Sequence, residues 1–237
     1  MEGIEFYLPE LNFIINNGKG LEKDNFLLAI AGGRKPKASW LRKAARHLSV
    51  FCADKGIEIA AEAGLKVQAL YGDADSADLE YYEAAVKQGT YVERFPREKD
   101  ATDLQLLLKK IPAGNLLISG IWGGRFDHLY SNVFSLLAWK KNTQRQVILA
   151  DDKEVMLLLQ SGESVEVEIS ENTSIKALSL LTLSENVEVD LNGVHWPLAN
   201  AKLNYLHPYA ISNEAEENNI KCSCHSGDIG IYICLQE

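Results

Sequence analysis

Two aspartates, Asp73 and Asp75, follow an apolar run that ends at Tyr71. Gly72 permits a sharp turn, so both carboxylates can converge on one hard cation, which prefers oxygen ligands and often keeps waters for substrate phosphates. The same residues would equally form an Asx-rich turn in which Asp75 or Ser76 caps the next helix. Taken alone, they leave a metal site and a capping turn as equal alternatives.

A second acidic pair, Asp100 and Asp103, precedes the apolar run at residues 104–108. Their spacing brings both carboxylates to the positive end of a starting helix, so ordinary helix capping explains much of this pair. A functional role for this pair is favoured by the layered fold, which can bring it to the same sheet edge as Asp73 and Asp75.

The junction at residues 120–128 is rich in glycine and also contains Arg125, Asp127 and His128. Glycines such as Gly124 let backbone N–H groups approach an anion, the helix terminus adds partial positive charge, and arginine offers a forked phosphate contact. Asp127 would cap the helix or take part in metal and ligand binding. His128 would orient Asp127, touch a phosphate or only make a local hydrogen bond. The composition favours a phosphate site over a plain turn.

Two shorter loops carry further polar residues. Gly32 and Gly33, followed by Arg34, could contact a phosphate, although paired glycines are also common after strands. Asp54, followed by Lys55, would bind a ligand hydroxyl or cap a helix. The sequence contains neither a P-loop nor a dinucleotide-binding glycine fingerprint, so those two nucleotide-binding classes lose their main support.

Strands and helices must position these loops. Within residues 26–155, short apolar runs alternate with amphipathic stretches, which indicates that strands and helices follow one another in turn. Predicted strands cover residues 26–31, 50–53, 67–71, 116–119 and 147–150, and predicted helices cover residues 39–48, 57–63, 77–88, 102–110 and 128–140. We expect Ser39 to cap the first helix and Gly64 to end the second. This alternation predicts a Rossmann-like α/β domain with a largely parallel sheet, whose ligands collect at the carboxyl ends of the strands.

Residues 156–237 follow a different pattern, in which apolar and polar residues alternate with period two. This pattern predicts an all-β, sandwich-like domain. Residues 1–25 are expected to form an N-terminal extension with a hairpin whose arms lie at residues 6–8 and 13–15.

The composition excludes some classes of partner. The chain has 24 Lys and Arg against 33 Asp and Glu, a net charge of -9, which argues against broad binding to nucleic acid or an anionic membrane. We find no export signal and no apolar stretch near the roughly 20 residues that span a bilayer, so we expect a cytoplasmic protein. The cysteines show no disulfide framework, and Cys222 and Cys224 are expected in the core of a strand rather than at a metal.

Five motifs, taken in order, resemble the thiamine pyrophosphokinase family. They are Ala-Asp-Lys-Gly at residues 53–56, Gly-Asp-Ala-Asp-Ser at 72–76, Lys-Asp-Ala-Thr-Asp at 99–103, Gly-Arg-Phe-Asp-His at 124–128 and Ser-Asn-Glu at 212–214. The resemblance implies transfer of a pyrophosphoryl group from ATP to the hydroxyl of thiamine, giving thiamine diphosphate and AMP. It also implies Mg²⁺ and a homodimer with sites at the subunit interface. Residues 26–155 would be the catalytic, nucleotide-binding domain, and residues 156–237 the thiamine-binding and dimerisation domain.

The resemblance also implies roles for single residues. Those assigned to catalysis and metal binding are Asp73, Asp75 and Asp100. Those assigned to the nucleotide are Gly32, Gly33, Asp54, Asp103, Gly124, Arg125, Asp127 and His128. Those assigned to thiamine are Ser212, Asn213 and Trp196. Residues 193–198 resemble the Gly-x-x-Tyr-Pro-Leu turn of the family.

The chain departs from the family pattern at two positions. Lys55 replaces the first glycine of the usual Ala-Asp-Gly-Gly, and an added cation near phosphates is physically tolerable. Trp196 stands where tyrosine is usual; Trp196 and Tyr232 are both candidates for stacking on thiamine, and either is also compatible with the core.

Two other functions are compatible with the same residues. One is a related Mg²⁺-dependent nucleotide pyrophosphotransferase or hydrolase that acts on another substrate. The other is a ligand-binding homologue without turnover, which missing acidic positions would favour, although Asp73, Asp75, Asp100 and Asp103 are all present.

Overall fold

The computed structural model describes residues 3–17, 25–72, 78–96, 98 and 100–236. The chain divides into two compact units. The α/β unit is Asp24–Asp152, and the β unit combines Met1–Lys23 with Lys153–Glu237. The N-terminal segment therefore belongs with the C-terminal strands.

The elements follow one another along the described residues. The strands are β1 (Ile4–Tyr7), β2 (Leu11–Asn16), β3 (Phe26–Ile30), β4 (Ser49–Ala53), β5 (Val67–Gly72), β6 (Tyr91–Arg94), β7 (Asn115–Ser119), β8 (Val147–Ala150), β9 (Glu154–Gln160), β10 (Glu163–Ile169), β11 (Ile175–Thr182), β12 (Val187–Asn192), β13 (Leu198–Leu203), β14 (Asn219–Ser226) and β15 (Asp228–Leu235). The helices are α1 (Ala38–Ala44), α2 (Gly56–Glu62), α3 (Leu79–Lys87), α4 (Asp103–Lys110) and α5 (Phe126–Thr143).

The α/β unit contains a sheet in the order β8-β7-β3-β4-β5-β6, and each pair of neighbouring strands is parallel. Every residue of β3, β7 and β8 is buried, as is typical of parallel strands that are covered on both faces. The mixed α/β class predicted from the alternation of apolar runs and amphipathic stretches is confirmed. The sequence did not predict β6, which lies at the edge of the sheet.

Two helices begin at residues other than those predicted from the sequence. Asp78 is the N-cap of α3, and its carboxylate accepts a hydrogen bond from the backbone N–H of Glu80 at 3.0 Å. The predicted start of this helix at residue 77 is therefore too early. The expected cap at Ser39 is wrong, because Lys37 holds the N-cap position of α1 and Ser39 lies inside the helix.

The end of α2 agrees with the sequence. Gly64 follows the C-cap Ala63 and adopts a φ of 67°, a left-handed conformation that glycine reaches without strain. The expected stop at Gly64 is confirmed.

The β unit contains antiparallel strands in two groups. One has the order β1-β2-β10-β14-β12-β13, and in the other β15 pairs with both β9 and β11. The hairpin of β1 and β2 joins the first group because β2 pairs along β10. Cys222 and Cys224 are buried residues of β14, in agreement with the expected core positions.

Among the helices described here, none is both long and apolar enough to cross a membrane.

Candidate active site

The loops that follow β3, β4 and β7 leave the α/β unit at one edge of its sheet. The parallel register aligns Ile30 with Cys52 and with Ser119, so the three strands end side by side. We call the loops at residues 31–34, 54–55 and 120–125 the carboxyl edge. Most of the predicted nucleotide residues lie there, as expected for ligand sites in parallel sheets.

Asp54 packs directly against the backbone where the predicted acidic turn begins. It adopts a φ of 47°, and its N–H donates to the carbonyl of Tyr71 at 3.0 Å. A Cβ atom on Gly72 would lie 2.3 Å from Oδ1 of Asp54, so any larger residue at that position would displace the carboxylate or the backbone beside it. The carboxylate of Asp54 therefore lies beside the start of the segment that carries Asp73 and Asp75.

Asp73, Asp75 and Ser76 lie outside the described residues. The structure nevertheless bears on the capping alternative, because Asp78 holds the N-cap position of α3. Capping of this helix therefore accounts for neither Asp75 nor Ser76.

The second acidic pair flanks the start of α4. Thr102 is the N-cap and forms a capping box with Gln105, in which each side chain bonds the backbone of the other residue, at 3.2 and 3.0 Å. Asp103 is the first residue of the helix, at its positive end, and Asp100 is exposed before it. The cap is therefore built by Thr102 and Gln105, so capping does not explain Asp100.

The loop after β3 is tied to the loop after β7. The N–H of Gly33 donates to the carbonyl of Gly120 at 2.6 Å, and the N–H of Arg34 donates to that of Trp122 at 2.5 Å. A Cβ atom on Gly33 would lie 2.6 Å from the carbonyl oxygen of Gly120. These two amides thus hold the neighbouring loop, so they do not point at a ligand.

Arg34 is also anchored through its guanidinium group. Its Nε and one terminal nitrogen both lie 2.7 Å from Oδ2 of Asp151, which is fully buried. Sequence reasoning missed Asp151, although it directly follows the predicted strand at residues 147–150, where the strand-end rule would have found it. This ion pair fixes the Gly32–Arg34 segment as scaffold of the carboxyl edge.

Gly32 and Lys55 fit each other. A Cβ atom on Gly32 would lie 2.9 Å from the Cβ of Lys55, so the two loops come into close contact there. The next residue, Gly56, is equally restricted, because a Cβ atom would lie 2.0 Å from the carbonyl oxygen of Ile30. The lysine that departs from the family pattern is therefore accommodated by a glycine opposite it.

Arg125, Asp127 and His128 lie exposed at the start of α5. Gly124 adopts a φ of 67°, and Arg125 is the N-cap residue. Nε of Arg125 donates to Asp127 at 3.1 Å and a terminal nitrogen donates at 2.5 Å, forming a forked ion pair. Hydrogen bonding and charge from Arg125 lower the pKa of Asp127, and the same pair raises the pKa of Arg125. An anion that binds here meets a guanidinium group, backbone glycines and the positive end of a helix.

The predicted thiamine residues come together within the β unit. We call residues 193–198 the Trp196 turn. The buried side chain of Asn213 bonds the backbone of Trp196 twice, accepting from its N–H at 3.1 Å and donating to its carbonyl at 2.8 Å. Ser212 is exposed and adopts a φ of 59°, and its N–H donates to Oγ of Ser179 at 3.0 Å. Ser179 was missed from the sequence, where a serine inside an apolar strand gives no signal.

The two candidate stacking residues differ in exposure. The side chain of Trp196 is 55% exposed, and its ring meets the edge of the His195 ring with centroids 4.5 Å apart. Tyr232 is half-buried on β15 and its hydroxyl donates to Glu154. Burial, and then the bond to Glu154, raise the pKa of Tyr232. Trp196 is therefore the ring that is accessible to a ligand.

A cavity of about 480 Å³ lies elsewhere in the α/β unit, between α2 and α3. Its lining includes Val67, where β5 begins, and Thr90, just before β6. It is therefore at the amino ends of these strands, opposite the carboxyl edge.

Within the described part of the chain, no group of three or more His, Cys, Asp or Glu side chains is arranged to hold a metal. Two of the three predicted ligands, Asp73 and Asp75, lie outside that part. The residues predicted to bind the metal are all carboxylates, and the described one, Asp100, lies just before α4. Such a donor set fits a hard cation such as Mg²⁺ rather than a soft transition metal.

The chain was compared with families of known proteins. The family model for the catalytic domain of thiamin pyrophosphokinase matches residues 42–149, and the model for its vitamin B1 binding domain matches residues 164–229. The thiamine pyrophosphokinase of Bacillus subtilis is 31% identical over 166 residues, which are 68% of this chain and 75% of that protein. Thiamine pyrophosphokinase 1 of Oryza sativa is 28% identical over 171 residues, 68% of this chain and 64% of that protein.

Solved structures agree with the sequence matches. The crystal structure of the Bacillus subtilis thiamine pyrophosphokinase superposes with a TM-score of 0.77 at 26% identity, covering 90% of this chain and 100% of that one. Sequence, domain order and fold thus point the same way: the chain belongs to the thiamine pyrophosphokinase family.

Proposed function

We propose that this chain is a thiamine diphosphokinase, which transfers the pyrophosphoryl group of ATP to the hydroxyl of thiamine. One observation carries the proposal: the catalytic family model falls within the α/β unit, and the vitamin B1 binding model falls within the β unit. The α/β unit is then a Rossmann-like nucleotide-binding domain. The β unit is a sandwich-like domain for thiamine binding and dimerisation.

The reaction exchanges one P–O bond for another. The hydroxyl oxygen of thiamine attacks the β-phosphorus of ATP in line, while the bond from that phosphorus to the α,β-bridging oxygen breaks. AMP leaves with the bridging oxygen, and the hydroxyl proton passes to a carboxylate of the site or to water. Such transfers depend mainly on positioning and on neutralising charge at the phosphates.

Three aspartates are proposed to hold Mg²⁺: Asp73, Asp75 and Asp100. The bound ion supplies electrostatic stabilisation of the transferred group and of the leaving phosphate. Asp54 is proposed to position the acidic turn, since its carboxylate packs against Gly72, where that turn begins.

The nucleotide is proposed to lie along the carboxyl edge. Arg125 is exposed at the N-terminus of α5, so its guanidinium can exchange Asp127 for a phosphate group. Gly124, Asp127 and His128 line the same helix start, and Asp103 lies at the start of α4. Gly33 acts mainly by holding the loop after β7 through the carbonyl of Gly120, and Gly32 by leaving room for Lys55.

Thiamine is proposed to contact the Trp196 turn. The exposed indole of Trp196 offers a flat apolar surface on which an aromatic ring can stack. Ser212, which precedes Asn213 in the sequence, is also exposed, and its hydroxyl can form a hydrogen bond with the ligand. Tyr232 is less suited, because it is half-buried on β15 whereas Trp196 is exposed.

We also propose that the chain works as a homodimer in the cytoplasm. The β unit exposes several large apolar side chains, which favours a protein interface: Tyr205, Leu206, Tyr209 and Ile211. The four cysteines are free thiols, as is usual in a reducing compartment. Sedimentation of the purified chain tests the dimer directly.

Product analysis tests the function. Purified chain, ATP and Mg²⁺ are incubated with and without thiamine, and AMP and thiamine diphosphate are quantified. We expect both products in equal amounts and only with thiamine.

The other outcomes favour the alternatives. AMP or phosphate released without thiamine favours a related nucleotide hydrolase, and transfer to another hydroxylated acceptor favours a different pyrophosphotransferase. Thiamine binding without any product favours a non-catalytic homologue.

A further inference from the structure

The side-chain amide of Asn213 is almost fully engaged by the protein itself. Its Oδ1 accepts from the N–H groups of Trp196 and Glu214, at 3.1 and 2.9 Å, and its Nδ2 donates to the carbonyl of Trp196 at 2.8 Å. An asparagine amide can make four hydrogen bonds, so most of its capacity is used. The residue is also only 7% exposed, which leaves little of it for a ligand.

Asn213 is itself held in place by β11. Its backbone N–H and carbonyl bond the carbonyl and N–H of Leu178, at 2.7 and 2.8 Å, and Leu178 is fully buried. The preceding N–H, that of Ser212, donates to Oγ of the buried Ser179 at 3.0 Å. The amide of Asn213 thus extends from a rigid strand to the Trp196 turn.

The side chain of Trp196 contrasts with its backbone. The indole is 55% exposed, whereas both polar backbone atoms of this residue are bound to Asn213. An exposed aromatic ring on a fixed backbone loses less conformational freedom when a ligand binds, which strengthens binding without adding a contact to the ligand.

We propose that Asn213 is a positioning residue, which holds the Trp196 backbone so that the indole is presented to the rings of thiamine. It acts through Trp196 and makes no contact with thiamine itself. The inference rests on the proposed function and changes the role that the sequence implied for Asn213, from substrate contact to support.

A double-mutant cycle tests this indirect role. The variants are Asn213→Ala, Trp196→Ala and the double variant, and KM for thiamine, KM for ATP and kcat are measured for each. We expect either single change to raise KM for thiamine about tenfold, with KM for ATP and kcat nearly unchanged. The double variant should also show about a tenfold increase, because a residue that acts only through Trp196 has no effect once the indole is gone.

A conservative variant and a matched control separate positioning from general destabilisation. Asn213→Asp keeps the acceptor for both N–H groups but replaces the donor to the Trp196 carbonyl with an oxygen that this carbonyl repels, so its KM for thiamine should rise at least as far as that of Asn213→Ala. Asn115→Ala removes a buried asparagine of the α/β unit whose Oδ1 accepts from the N–H of Gln146. It should lower stability without a selective change in KM for thiamine.

The outcomes distinguish this inference from the proposed function. A wild-type chain that makes no thiamine diphosphate contradicts the proposed function and the inference together. An active wild type whose double variant shows about a hundredfold increase contradicts the inference alone, since Asn213 would then act on thiamine directly. Should Asn213→Ala fail to fold, Asn213→Asp takes its place in the same cycle.

Discussion

The carboxyl edge of the α/β unit and the Trp196 turn of the β unit hold their key side chains in different ways. At the carboxyl edge, Arg125 is exposed and pairs with the exposed Asp127 in the first turn of α5. In the Trp196 turn, the exposed indole stands on a backbone that the buried Asn213 holds. Charged side chains can pair with each other in the absence of ligand and exchange those partners for phosphates and a cation when the ligands bind. An apolar ring has no such partner and is oriented through its backbone instead.

The largest effect is expected from the acidic turn. Asp73→Asn or Asp75→Asn should lower kcat on the order of 10³-fold, because each removes one negative ligand from the proposed Mg²⁺ site. Release of AMP at saturating thiamine measures this.

Asp78→Asn is the matched control for both variants. Asparagine caps helices as well as aspartate does, so α3 should keep its start and turnover should stay near that of wild type. Near-normal turnover in Asp73→Asn and Asp75→Asn would remove the acidic turn from the mechanism.

A smaller effect is expected at Gly72. Gly72→Ala would place a Cβ atom 2.3 Å from Oδ1 of Asp54, so either the carboxylate or the following turn must move. We expect kcat to fall about 10²-fold through misplacement of the acidic turn, and the free energy of unfolding to fall by about 1–3 kcal/mol. Kinetics and urea unfolding of the same preparation measure both.

Gly64→Ala is the control for the backbone. It also replaces a glycine, at a φ of 67°, but its Cβ atom would meet no described atom within 4 Å. Stability should fall by roughly 1 kcal/mol, with kcat unchanged. An equal loss of kcat in both variants would argue against a special contact between Asp54 and Gly72.

Substitutions in the Trp196 turn should change KM for thiamine rather than kcat. Trp196→Ala should raise KM for thiamine about tenfold and leave KM for ATP unchanged, while Trp196→Phe should keep most of the affinity because a ring remains. Initial rates over a range of each substrate measure this. If Trp196→Ala raised KM for both substrates equally, the division of labour between the two regions would be wrong.

The smallest effect concerns the protonation of Asp127. Arg125 lowers the pKa of this carboxyl, so the ion pair is fully formed above the ordinary aspartate pKa and is lost only as the pH falls through the lowered value. Arg125→Met should return the pKa of Asp127 towards its ordinary value. Titration of the carboxyl by NMR measures the shift, and an identical pKa in both proteins would show that the pair does not form in solution.

The sequence predicted the α/β unit well where strands are buried. Apolar runs located β3, β4, β5, β7 and β8 to within a few residues, because a strand that is covered on both faces must be apolar throughout. The sequence missed β6, Tyr91–Arg94, because its residues are exposed or half-buried and resemble a loop. Helix starts were predicted less accurately, because the N-cap positions, Lys37 in α1 and Asp78 in α3, depend on local backbone geometry.

The candidate site was predicted in part for a similar reason. Motif order found the residues of the carboxyl edge and of the Trp196 turn, since the types of side chain and their spacing are visible along the chain. Asp151 was missed although it directly follows a predicted strand, and Ser179 was missed because its partner, Ser212, is far away in sequence. A hydrogen bond between distant residues leaves no pattern in a single sequence.

By itself, the sequence determined the mixed α/β class, the two pattern regions and the family resemblance, because periodicity and motif order are properties of the linear chain. Only the tertiary structure decided what the predicted residues touch. In the structure, the backbone amides of Gly33 and Arg34 form hydrogen bonds with the neighbouring loop, and the side-chain amide of Asn213 forms hydrogen bonds with the backbone of Trp196. A polar group's role depends on which partner lies within hydrogen-bond distance, and folding alone sets that distance.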